Sequence, residues 1–92
     1  MKYSPPTPQD LERLKQELQL SSAAMAELFG VQGGRQWRKY TGGETPREIS
    51  PHILFFAMAR LELDDATLQR VLDRMRQAGA TIDLGAGGEQ EP

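Results

Sequence analysis

Glycines and Ser/Thr-Pro pairs cut this chain into short segments, and within each segment apolar residues recur at three- and four-residue intervals. That punctuation admits short helices and little else, because strands need a period of two and no stretch alternates apolar with polar residues convincingly. Thr7-Pro8 sets a capping hydroxyl before a proline at the first helical position, and Asp10 adds a first-turn negative charge. Leu11, Leu14 and Leu18, with Leu20 beyond, predict a helix over residues 8–19. Ser21 or Ser22 caps a second helix built from Ala23, Ala24, Met25, Ala26, Leu28 and Phe29. Gly30, free to take positive φ, closes it, and Val31 plugs the turn.

Gly33-Gly34 opens a third helix carrying Arg35, Gln36, Trp37, Arg38, Lys39, Tyr40 and Thr41, and Gly42-Gly43 stops it. After a loop from Glu44 to Ile49, Ser50-Pro51 repeats the cap-plus-proline start. The fourth helix, through Leu61, is apolar nearly all round, which predicts a central core helix with Phe55 and Phe56 in the core, or one of the two rings turned to a partner. Asp64 or Asp65 caps a fifth helix with the stripe Leu68, Val71, Leu72 and Met75, ending near Gly79. The expected fold class is all-α, a compact four- to five-helix bundle. One domain spans residues 1–79, beginning with a loose arm over 1–6, and an acidic, glycine-rich flexible tail follows over 80–92.

Ninety-two residues make one domain with little room for a deep cleft beside its core. The absence of cysteine excludes disulfides and thiolate metal sites. No apolar run nears the roughly 18 residues of a membrane span. The opening Met-Lys-Tyr-Ser-Pro-Pro lacks the apolar region of a signal peptide. A soluble, cytoplasmic protein is expected. The formal net charge of -2 runs against nucleic-acid binding, yet the charge is unevenly spread. Residues 32–47 hold Arg35, Arg38, Lys39 and Arg47 against Glu44, whereas the C-terminal third is acidic. A basic middle suffices if it faces phosphate.

The segment from Ser22 to Thr41 carries the functional signal. Two helices that cross closely need a small residue at the crossing, which Ala26 supplies, and a glycine four residues on to reverse the chain, which is Gly30. Val31 pins the turn. Trp37 and Tyr40, three apart, face back to the body, leaving Arg35, Gln36, Arg38 and Lys39 around the rest of the third helix.

This segment, over 22–41, resembles the helix-turn-helix of the phage repressor and Cro-type (XRE-like) regulators, a resemblance that spans about residues 7–78. It implies a lambda repressor-like domain whose second and third helices read double-stranded DNA. The chain departs from that pattern in two places. One extra residue lies between Gly30 and Trp37, placed at Gly33-Gly34, and the usual polar cap of the third helix is missing around Gln32 and Gly33. Side-chain chemistry then assigns Arg35, Gln36 and Arg38 to base edges, since arginine pairs with guanine and glutamine with adenine. Ser22, Gln32, Lys39, Thr41 and Arg47 are assigned to phosphates.

Plainer readings stand beside these. The cations also fit a solvated helix face, and the spacing of Trp37 to Tyr40 favours core packing over a binding hot spot. His52, the sole histidine, makes no metal site, and Asp64-Asp65 reads as helix capping rather than paired catalytic carboxylates. Gly33-Gly34-Arg35 lacks the lysine and spacing of a phosphate-binding loop. No catalytic residue, cofactor, metal or small-molecule ligand is expected. The leading expectation is a transcriptional repressor of bacterial or phage type. It acts as a homodimer, with the Leu68, Val71, Leu72 and Met75 stripe as one route to pairing. The alternative is a protein-interaction module on the same fold, an adaptor or an antitoxin.

Overall fold

The computed structural model describes residues 1–84, and these form five helices and no strand. They are α1 (Pro8–Leu18), α2 (Ser22–Phe29), α3 (Gly33–Thr41), α4 (Pro51–Glu62) and α5 (Asp65–Gln77). The chain divides into two compact units, Met1–Leu61 and a second from Glu62 onward. No described helix is long and apolar enough to cross a membrane.

The first unit shows why its helices start and stop where they do. Thr7 accepts from the Asp10 backbone N–H at 3.0 Å while the Asp10 carboxylate accepts from the Thr7 N–H at 2.9 Å, a reciprocal cap. Ser21 caps α2 by accepting from the Ala24 N–H at 3.1 Å. Both helices close on a left-handed residue: Gln19 (φ 56°) after α1 and Gly30 (φ 72°) after α2. In each case two backbone N–H groups then reach back to the orphan carbonyls of the last turn. Leu20 donates to Lys15 and Gln19 to Gln16, as Val31 donates to Ala26 and Gly30 to Glu27.

The core of this unit is centred on α2 and α3. Leu11, Met25, Ala26, Phe29, Trp37, Tyr40, Ile49 and Ala57 form one buried cluster. Trp37, Phe29, Met25 and Ile49 are its largest fully buried side chains. The Phe29 and Trp37 rings meet at 4.9 Å between centroids and tilt by 51°, within the range where aromatic pairs attract beyond their shared area.

Two expectations need correction. Helix α4 is not the central core helix: only Ala57 is buried along it, Ile53, Leu54 and Met58 pack half-buried on the cluster, and Phe55 is 75% exposed. A helix touching the core along one side leaves its other side to solvent, however apolar its residues. The arm at residues 1–6 is tied down, because the Tyr3 hydroxyl donates to the Ile49 carbonyl at 2.7 Å. The predicted loop from Glu44 to Ile49 carries neither helix nor strand, and it delivers Ile49 to the core as one of the largest buried side chains.

In the second unit, Asp64 caps α5 by accepting from the Thr67 N–H at 2.7 Å. Leu72 is buried, Leu68 half-buried, and Val71 and Met75 stand exposed. Arg76 bonds Asp73 at 2.9 Å and the Ile82 carbonyl at 2.8 Å, holding the segment after the helix. Of the predicted tail, residues 80–84 carry neither helix nor strand, and residues 85–92 lie outside the described residues.

Candidate nucleic-acid interface

Helix α3 divides its circumference as its spacing requires. Trp37 and Tyr40 are 0% and 5% exposed, while Arg35, Arg38 and Lys39, at i, i+3 and i+4, all lie on the exposed face. Gln36 sits on the flank between the two faces and is half-buried.

The turn that sets α3 is locked from α4. The Arg60 guanidinium donates to the Glu27 carbonyl at 2.7 Å, which also accepts from the Gly30 N–H, and to the Leu28 carbonyl at 3.4 Å, gripping the last turn of α2. The same guanidinium lies 5.6 Å from the centroid of the Phe56 ring. A methyl group on Gly30 would meet that ring at 3.1 Å. Glycine at position 30 is thus favoured twice, by its left-handed φ and by the ring laid against it.

At the other end of the turn, Gly33 takes a φ of 76° and Gln32 stands at the N-cap of α3 without a side-chain hydrogen bond. The first-turn N–H groups of α3 therefore receive no side-chain cap. Gly34 brings that bare start against the start of α2. A Cβ there would lie 3.2 Å from Ser22 Cβ, 3.3 Å from the Ala23 nitrogen and 3.2 Å from Arg38 Nη1. Two positive helix ends and a guanidinium thus converge, an arrangement that repels cations and suits an anion.

A shallow groove opens beside this point. It is lined by Arg35, Arg38, Lys39 and Thr41 of α3, by Ser22, by Gly42 and Gly43, and by Glu12 and Lys15 of α1. Its four cations face one carboxylate. Among the described residues, none of the four groove cations forms an ion pair.

The groove brings together five of the eight predicted site residues: Ser22, Arg35, Arg38, Lys39 and Thr41. Gln32, Gln36 and Arg47 are outside it. Arg47 is exposed on the loop, where its backbone N–H donates to the Lys39 carbonyl at 2.7 Å and ties the loop to α3. Sequence reasoning passed over Glu12 and Lys15. The available signal was that Lys15 follows Leu11 by four residues and precedes Leu18 by three, which puts a lysine on the edge of the buried face of α1. Arg60 and Phe56 were also missed as the pair that secures the turn.

Among the described residues, no group of three His, Cys, Asp or Glu side chains is placed to hold a metal ion. No protein-family model, curated protein or solved structure matches the chain.

Proposed function

We propose that this chain binds double-stranded DNA sequence-specifically, with α2 and α3 acting as a helix-turn-helix of the phage repressor and Cro type and α3 entering the major groove. The observation that supports this most is the division of α3. Two buried aromatics fix the helix, and three cations, in no ion pair among the described residues, project from its opposite face beside two convergent helix N-termini. A helix held that way offers arginines to guanine edges and N–H groups to phosphates. Arg35 and Arg38 are assigned to bases, with Gln36 reaching an edge from the flank. Ser22, Lys39 and Thr41 are assigned to phosphates, and Gln32 and Arg47 to phosphates further along the strands.

A single module of this size makes few contacts, so a homodimer spanning half-sites about 34 Å apart is the proposed working form. Val71 and Met75 are the α5 positions exposed to take part, whereas Leu72 is already buried within the chain. A repressor role follows, since blocking polymerase requires nothing beyond occupancy.

The test is selection of bound duplexes from a random pool, repeated with Arg35→Ala combined with Arg38→Ala. Enrichment of a palindrome by the parent and its loss in the double variant is the expected result. Failure of the parent to enrich any duplex contradicts the reading.

One observation favours a second reading, a protein-interaction module. Phe55, 75% exposed, lines an apolar hollow with Met1, Tyr3, Leu54 and Met58. Under that reading the double arginine variant keeps its protein complex, and Phe55→Ala loses it.

A further inference from the structure

Helix α1 brings a charge pattern into the groove that the reading of α3 does not use. Glu12 and Lys15, three residues apart, both line it, across from Arg38 and the Gly42–Gly43 backbone. Lys15 is half-buried, in the last turn of α1, and forms no ion pair among the described residues. It follows Leu11 by four residues, so its stem runs beside the buried face of α1 while the residue lines the groove. Gly42 and Gly43 carry no side chain and leave the α3 end of the groove open to a bulky group.

We propose that Lys15 is a backbone phosphate contact, so that the duplex is held by α1 as well as α3, and that Glu12 sets where the strand can run. Lys15 attracts a phosphate to the C-terminal end of α1, and one turn earlier Glu12 repels it. The strand is thereby steered past α1 in one position, which fixes the register of α3 on the bases. This rests on the DNA-binding reading above.

Each phosphate neutralised contributes about 0.9 to the slope of log affinity against log salt on duplex DNA. Lys15→Ala, Lys15→Arg, Glu12→Gln and, as a control outside the groove, Lys2→Ala are titrated with the selected duplex over a salt series. Thermal melts verify that each variant is folded. Lys15→Ala is expected to weaken binding several-fold and lower the slope by about one, with the selected sequence unchanged. Lys15→Arg and Lys2→Ala should keep the parent slope, and Glu12→Gln should tighten the complex several-fold. If Lys15→Ala binds with the parent slope, or if Glu12→Gln weakens binding, the assignment to α1 is overturned while DNA binding by α3 stands. If the parent itself binds no duplex, both fall.

Discussion

Gly34 lies so close to Ser22 that a methyl group on the glycine would sit 3.2 Å from the serine Cβ. The same methyl would meet the Ala23 backbone nitrogen at 3.3 Å, and backbone inside a helix cannot step aside as a side-chain tip can. Helix propensity favours Gly34→Ala by about 0.5–1 kcal/mol, whereas overpacking a close contact costs about 1–3 kcal/mol. The contact wins. Gly34→Ala is expected to lose about 1 kcal/mol in denaturant unfolding, and a gain would show that the two helix starts are less tightly apposed.

Gln19 holds the left-handed conformation at the end of α1 that Gly30 holds at the end of α2. A side chain in that conformation costs about 1–2 kcal/mol, part of which glycine gives back through the greater freedom of its unfolded chain. Gln19→Gly is therefore expected to stabilise the protein by about 0.5–1 kcal/mol, read as a higher urea midpoint with an unchanged slope.

The Asp10 carboxyl is held below its usual range by the Thr7 backbone N–H first and the Thr7 hydroxyl second. The Asp64 carboxyl is held low by the Thr67 hydroxyl and then its backbone N–H. A carboxyl depressed in the folded state contributes stability that is present above its unfolded pKa, near 3.8, and is lost as pH falls through the folded value. Stability should thus fall on acidification below about pH 4. Asp64→Asn, which still caps a helix, is expected to flatten that fall while leaving the melt at pH 7 nearly unchanged. An unaltered acid limb in Asp64→Asn would separate the cap from the pH response.

Trp37 is fully buried, and its indole N–H finds no hydrogen-bond partner among the described residues. Removing the ring should cost about 3–5 kcal/mol, because the cluster of Phe29, Met25 and Ile49 loses its centre. Phenylalanine keeps one ring and eliminates an unsatisfied donor that itself costs about 1–3 kcal/mol. Trp37→Phe should accordingly be far milder than Trp37→Ala in thermal unfolding. Equal losses would mean that the indole N–H has a partner in solution.

How far the sequence foretold all this depended on whether a feature was local. The cap at Thr7, the stop at Gly30 and the opposed faces of α3 follow from residues within four positions of one another and were legible, and the α5 cap was narrowed to Asp64 or Asp65. The mislaid features depend on distant partners. Nothing near Phe55 says that α4 touches the core along one side only. Nothing near Tyr3 announces a bond to a carbonyl 46 residues away. Arg60 reads as a surface cation until the end of α2 is placed beneath it. Within the groove, the shared face of the α3 residues could be read from their own spacing, whereas the place of Lys15 beside them depends on α1 and α3 lying side by side.

The central claim is that the exposed cations of α3 read a duplex, and its most direct test is a salt titration of the selected duplex with parent and doubly substituted protein. The account predicts that log affinity falls linearly with log salt, by about 0.9 per phosphate contact. It also predicts that Arg35→Ala with Arg38→Ala, though folded, loses preference for the selected sequence. A double variant that binds that sequence with the parent's affinity and preference would contradict it.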